Sequence, residues 1–259
     1  MTNGTTMQGA PHFRARLAAT PQDLWAAQRL RYRVFVQELG AGGPLVDHAA
    51  GLEVDARDAY ADHLLLEDLA HPEAPVVGVY RLMTAGQARQ AGGFATAREF
   101  DLSPLVATGR PLLELGRSCL LPAYRGGPAM AHLFAALASL LADAPDTILF
   151  GVASFPGTDA AALSEPLAQL RQDHLAPACL RPWAIGPGAR RMPQDRITDR
   201  KAALRATPPL IKAYLRLGGV VGDGACVDAA FNTTDVCMIL DTGTMTDAHR
   251  RRLSAGERA

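Results

Sequence analysis

The chain has 259 residues, 48% of them hydrophobic and 20% charged, enough for a sizeable core and ordinary for a soluble globular enzyme. Lys+Arg and Asp+Glu each number 26, so no overall field draws the chain to nucleic acid, and no nucleic-acid partner is expected. Cys119, Cys179, Cys226 and Cys237 are scattered without a CxxC or a Cys/His cluster, which argues against a zinc site or a disulfide framework; each is expected as a small buried hydrophobe in a reducing cytosol.

Residues 1–12 are polar and weakly periodic and are expected to be loose. They hold no basic stretch followed by an apolar one, so no secretory signal is read there, and no apolar run approaches the ~20 residues that a bilayer requires. The first helix is expected over Pro21–Glu38. Thr20 caps it, Pro21 suits its first turn, and Leu24, Ala27, Leu30, Val34 and Leu39 recur at helical spacing until Gly40-Ala-Gly-Gly43 ends it. Strands are expected at His63–Glu67, Pro75–Leu82 and Leu112–Leu121, the last stopped by Pro122. Ala129–Ala142 reads as a largely buried helix and Ile148–Phe155 as a short buried strand. Helices near Leu163–His174 and Leu204–Leu217 and a strand pair, Val220–Val227 with Asp235–Leu240, complete the pattern.

This order predicts an α/β (α+β) fold with helices on both faces of one sheet. A single domain is expected over 13–242, with an irregular Pro- and Arg-rich insertion at 176–204 and a flexible tail at 243–259.

The segment richest in chemistry is Leu112-Leu-Glu-Leu-Gly-Arg-Ser-Cys-Leu-Leu-Pro-Ala-Tyr-Arg-Gly-Gly-Pro-Ala129. A strand, a glycine loop and a helix N-terminus follow one another, so free N–H groups and the positive end of a helix dipole suit a phosphate, with Arg125, Gly126 and Gly127 in contact. The competing reading is a tight turn with a solvated arginine. Glu114 interrupts an otherwise apolar strand, which is costly unless it is paired or functional. It reads either as a general base or as a structural partner of Arg117.

The strand, loop and helix resemble the acyl-donor site of GNAT acyltransferases, although Arg125-Gly-Gly-Pro-Ala129 departs from the usual pattern in a way that fits an acyl-carrier-protein donor better than acetyl-CoA. Arg31 with Phe35, Asp55 with Asp58, Arg81, and Glu114 with Arg117 resemble motif positions of the acyl-homoserine lactone synthases. A resemblance over nearly the whole chain is to the bacterial L-ornithine Nα-acyltransferases, sometimes labelled hemolysin-like. It rests on Tyr32-Arg-Val-Phe35, Asp62-His-Leu-Leu65, Gly78-Val-Tyr-Arg81, Glu99-Phe-Asp-Leu-Ser103, Glu114-Leu-Gly-Arg-Ser118, Phe155-Pro-Gly-Thr-Asp159, Pro208–Gly218 and Phe231-Asn-Thr-Thr-Asp-Val236.

That resemblance implies a GNAT-like, largely antiparallel sheet and transfer of a 3-hydroxyacyl group from acyl carrier protein to the α-amino group of L-ornithine, giving lyso-ornithine lipid. It implies no tightly bound cofactor, the donor being the phosphopantetheine thioester, and a cytoplasmic enzyme with peripheral contact to the inner membrane as an open reading. Glu114 is expected as base, and Arg81 or Arg117 as clamp for the ornithine carboxylate. Asp55, Asp58 or Asp62 is expected to receive the distal ammonium; Arg31, Phe35 and Ser118 are expected around the substrate, and no metal is expected. For the acids the competing reading is an ion pair. Arg181, Arg190, Arg191, Arg196, Arg200, Lys201 and Arg205 form either a solvated charge run or a dock for an acidic carrier protein or anionic lipid. The alternatives kept are a lactone-synthase-like enzyme and a membrane-active hemolysin-like protein. Trp25 and Trp183 both lie away from the position after Phe35 where lactone synthases carry a Trp.

Overall fold

The structure is a computed structural model that describes residues 10–73, 75–194 and 197–254. The expected loose N-terminus therefore lies mostly outside the described residues, as do the last five positions of the tail.

Thr20 caps helix α1 (Pro21–Arg31) by accepting the Asp23 N–H, and Asp23 returns the bond in a capping box. The helix continues through wider π-type turns over Tyr32–Glu38, and Gly40 at φ +76° ends it. The main sheet is built from β1 (Phe13–Leu17), β2 (Asp62–Asp68), β3 (Val76–Thr84), β4 (Leu112–Leu120), β5 (Ile148–Pro156), β6 (Ala225–Asp228) and β7 (Thr233–Asp241). Their spatial order is β1-β2-β3-β4-β5-β7-β6, with the short strand Ala189–Arg190 beyond β6 and Val220–Val221 pairing with β7. The β4–β5 pair is parallel, and the neighbouring pairs on both sides of it are antiparallel.

Helix α2 (Ala129–Leu140) covers one face. There Leu133, Phe134 and Leu137 pack against Leu64, Leu66 and Leu82. Helix α1 covers the other, with Ala27, Leu30 and Val34 against Leu65 and Val79. Leu64-Leu65-Leu66 shows the division directly, since neighbours on a strand point to opposite faces. Helix α3 (Ser164–His174) is also present, and the helix expected over Leu204–Leu217 is two, α4 (Arg200–Ala206) and α5 (Pro209–Arg216). Pro208 and Pro209 cause the break, because the first disfavours helical backbone before it and the second suits only a first turn.

One strand was missed and two expectations need correction. The edge strand β1 was not legible, since Phe-Arg-Ala-Arg-Leu is short and charged. From 243 onward the chain is not structureless: α6 (Asp247–Leu253), capped by Thr246, buries Leu253 near Met245. Cys179 is exposed, whereas the other three cysteines are buried. Among the described residues no helix is long and apolar enough to cross a membrane.

Candidate active site

Strands β4 and β5 pair only from Leu112 to Glu114 against Ile148 to Phe150, and then diverge. Gly151 sits at the parting point, where a Cβ would lie 2.1 Å from the Leu115 carbonyl oxygen; only glycine lets the two backbones come this close before separating. On its other side β4 carries a bulge against β3: Arg81 faces Gly116 and Val79 faces Cys119, so Arg117 and Ser118 oppose Tyr80 alone. Arg117 takes up the extra residue at φ +51°, a left-handed backbone costing about 1 kcal/mol. A cleft of about 260 Å³ opens here, lined by Gly116, Arg117 and Ser118 on one wall and Val152, Ala153 and Ser154 on the other.

Beneath the bulge lies a buried array of charges. Arg31 and Glu53, each 0% exposed, pair through Nε, and Arg31 grips Asp58 bidentately at 2.9 Å on both oxygens. Arg81 Nη1 contacts Asp55 at 2.9 Å and Asp58 at 3.2 Å. Arg117 donates from Nε to Glu53 at 3.1 Å and from Nη2 to Asp55 at 3.2 Å, with its guanidinium 5.0 Å from the Phe231 ring centre. The guanidiniums of Arg31, Arg81 and Arg117 thus face three carboxylates, and that of Arg57 lies 3.7 Å from Asp55 at the margin of the array. Burial acts to raise Asp55, but Arg81, the Arg57 N–H and Arg117 outweigh it and hold the carboxyl at about 2. Asp58, opposed by burial but gripped by Arg31, is held lower still.

The balance corrects the expected acceptors of a substrate ammonium. Asp55 and Asp58 are spent on arginines, and Asp62 is exposed, hydrogen-bonded to Gln87 and outside the cleft. Arg31 is likewise buried within the array. The cleft does receive Arg81, Arg117, Ser118, Glu114 and Phe35, whose ring stacks edge-on with Phe231 at 5.9 Å. Arg81 is 1% exposed, and its Nη2 has no hydrogen-bond partner among the described residues.

Glu114 does not pair with Arg117. Its oxygens accept the backbone N–H groups of Thr96 at 2.7 Å and Ala95 at 3.2 Å, which anchors the loop that follows Phe94 to β4. Arg125 is also committed, forming a two-pronged bridge to Glu38 at 2.5 and 2.7 Å. Among the described residues no atom lies within 4 Å of a Cβ added at Gly126 (φ +74°) or Gly127, and none caps the start of α2 with its side chain. The free N–H groups of that terminus suit a phosphate. In the basic region Arg181, Arg190 and Arg200 bond Ala176 O, Pro187 O and Asp173 respectively, and Arg196 lies outside the described residues.

Four site residues were not singled out from the sequence. Glu53 completes the charge array. Glu99, Asp228 and Asp235 bring carboxylate oxygens within 4.8 Å of one another at the cleft wall. Glu99 is held by the loop that Glu114 anchors and by the insertion, whose Ile185 N–H donates to Glu99 O at 2.8 Å. Burial and the neighbouring Asp235 and Asp228 charges push Glu99 above the usual carboxylate range, and burial pushes Asp235 up as well. Glu99 and Asp235 stood inside quoted motifs, so the signal was present; their convergence was not.

A family model for the acetyltransferase (GNAT) domain matches residues 30–135. Over 248 residues the chain is 52% identical to the L-ornithine N(alpha)-acyltransferase of Rhodobacter capsulatus, covering 94% of this chain and 96% of that one. It is 39% identical over 238 residues to the L-ornithine N(alpha)-acyltransferase of Agrobacterium fabrum, covering 89% and 81% of the two. Among solved structures, that of BjaI, a CoA-dependent acyl-homoserine lactone synthase, with MTA superposes with a TM-score of 0.52 at 15% identity, over 94% of this chain and 89% of that chain. At that identity the likeness concerns the fold.

Proposed function

Since the chain belongs to the L-ornithine N(alpha)-acyltransferase family, we propose that it transfers a 3-hydroxyacyl group from acyl carrier protein to the α-amino group of L-ornithine, giving lyso-ornithine lipid. The observation that carries the reading is the cleft between β4 and β5, lined by Glu114 and by buried Arg81, whose Nη2 has no hydrogen-bond partner among the described residues. An amino-acid acceptor needs a handle for its carboxylate, and a guanidinium N–H supplies one.

The thioester enters where the strands part, and its carbonyl oxygen takes backbone N–H groups of the bulged β4 as charge develops. Arg81 Nη2 holds the α-carboxylate. Glu114 accepts a proton from the α-ammonium, directly or through water; two N–H bonds leave lone pairs on its oxygens for that role. The amine nitrogen then bonds to the acyl carbon, the C–S bond breaks, the nitrogen gives its second proton to the departing thiolate, and Glu114 returns the first to solvent; a thiol with an ordinary pKa of ~8.5, like that of cysteine, is a ready leaving group. Arg117, fixed by Glu53 and Asp55, sets the bulge and adds positive charge beside the acceptor carboxylate. The pantetheine phosphate rests on Gly126, Gly127 and the N-terminus of α2, and Arg190 with Arg191 faces the acidic carrier protein.

Expression in a host that makes no ornithine lipid, followed by lipid extraction, tests the reading. Lyso-ornithine lipid is expected with the native chain and absent with Glu114→Gln. Formation of acyl lactones only, or of no product, overturns it.

A further inference from the structure

The balanced array under the bulge leaves the acceptor's side chain without a counter-charge at the positions expected from sequence. A different wall of the cleft supplies one. We propose that Glu99, Asp228 and Asp235 form the subsite that receives a side-chain ammonium of the acceptor amino acid, and so select a dibasic acceptor over a neutral one. The inference rests on the proposed acylation of an amino acid and assigns the specificity within that site.

Three observations carry it. The three carboxylates come from separate elements, the loop before Phe100–Asp101, the end of β6, and β7, and yet bring oxygens within 4.8 Å of one another. Asp235 is 4% exposed, and no donor of the described residues reaches its Oδ1 or Glu99 Oε2. Like charges at this spacing inside a protein are costly, which marks a place built for something other than the resting fold. Third, on the same cleft Arg81 Nη2 is buried and equally without a partner. An unmet donor and unmet acceptors on one cavity describe a ligand with a carboxylate at one end and a cation at the other.

An ammonium fits better than a divalent ion. It offers three N–H donors to three carboxylates, whereas Mg²⁺ or Ca²⁺ takes six or more oxygens. Beyond the hydroxyls of Ser154 and Thr233 the neighbours are the apolar Phe35, Phe231 and Val152, and Arg117 is close enough to act electrostatically on Glu99, which disfavours a second full positive charge more than a single one. Ser154 and Thr233 lie beside Asp235, and a cation drawn into the group relieves the repulsion that burial imposes.

The test compares L-ornithine with L-norvaline, which has the same three side-chain carbons with hydrogen in place of the distal ammonium and so carries no side-chain charge, using 3-hydroxyacyl carrier protein as donor. The native enzyme is expected to favour ornithine strongly. In Asp235→Asn and in Glu99→Gln the ratio of kcat/KM for ornithine to that for norvaline is expected to fall by about 100-fold, chiefly through KM for ornithine, because a site built for a polar partner discriminates steeply. Both ligand-free variants are expected to melt no lower than the native protein, since each replaces a carboxylate crowded against two others by a neutral amide; a merely structural role predicts lower melting. An unchanged ratio overturns the proposal, as does activity abolished by EDTA and restored by Mg²⁺ or Ca²⁺. If no amino acid is acylated, the functional reading falls separately. The subsite is then judged by thermal shift: a rise with ornithine but not norvaline, lost in Asp235→Asn, supports it, and no rise with ornithine overturns it.

Discussion

Replacing Glu53 by Gln leaves every backbone contact of the charge array in place and removes one negative charge from its centre. Glu53 is 0% exposed and bonded to both Arg31 and Arg117, so the change leaves Arg31, Arg81 and Arg117, with Arg57 at the margin, facing two carboxylates. Breaking a buried pair from one side costs about 3–5 kcal/mol, because the remaining charge cannot return to water. For a chain of this size each kcal/mol lowers the melting temperature by roughly 2–4 °C, so a loss of about 6–20 °C is expected. Thermal unfolding followed by circular dichroism at neutral pH measures it. Pairing the change with Arg31→Met restores the charge balance, and the double variant is expected to lose at least about 2 kcal/mol less than the two single losses added together. A single-variant loss under about 1 kcal/mol, or simple additivity, would refute the reasoning, since the array would then be solvated in practice.

Gly151→Ala is expected to destabilise by about 1–3 kcal/mol or more and to depress kcat/KM further, since its Cβ would press on the Leu115 carbonyl at the point where the cleft begins; denaturant unfolding and steady-state assays check both. Asp55, held at about 2 in the fold against ~3.9 unfolded, contributes stability that is present above about pH 4 and lost as pH falls through about 2. Glu99 and Asp235 run the other way: raised in the fold, they stay protonated while the unfolded chain ionises, so stability declines as pH rises from about 4 through neutrality. Melting temperature against pH is expected to fall on both limbs, and Asp235→Asn to flatten the upper one. Reversing Arg190 and Arg191 to Glu is expected to raise KM for the carrier-protein donor about tenfold, an effect that weakens with added salt; an unchanged KM removes that surface from the donor's path.

The elements of the fold follow from local physics: a Thr20 cap with Pro21 starts α1, Gly40 stops it, apolar runs of strand length mark β2 to β5, and Ala129 opens a helix whose apolar side chains leave it nowhere but the core. Glu114 stood out as a candidate because a carboxylate that interrupts an apolar strand is costly to desolvate, whereas Phe35, Arg81, Arg117 and Ser118 were singled out through the resemblance, and all five line the cleft. What no local pattern encodes is partnership across the chain. Whether Asp55 meets an ammonium or an arginine depends on Arg81 and Arg117 arriving from two other strands, and they do. Glu114 could be read as the partner of Arg117 three residues on, yet the bulge turns Arg117 away and brings in the N–H groups of Ala95 and Thr96 instead. Glu99 and Asp235, 136 residues apart in sequence, share one wall only because the sheet places β7 beside β5 while Glu114 anchors the loop of Glu99 to β4. The sequence by itself determined which side chains must be buried or satisfied; the tertiary structure alone decided by whom, because electrostatic pairing falls with distance in space and is indifferent to separation along the chain.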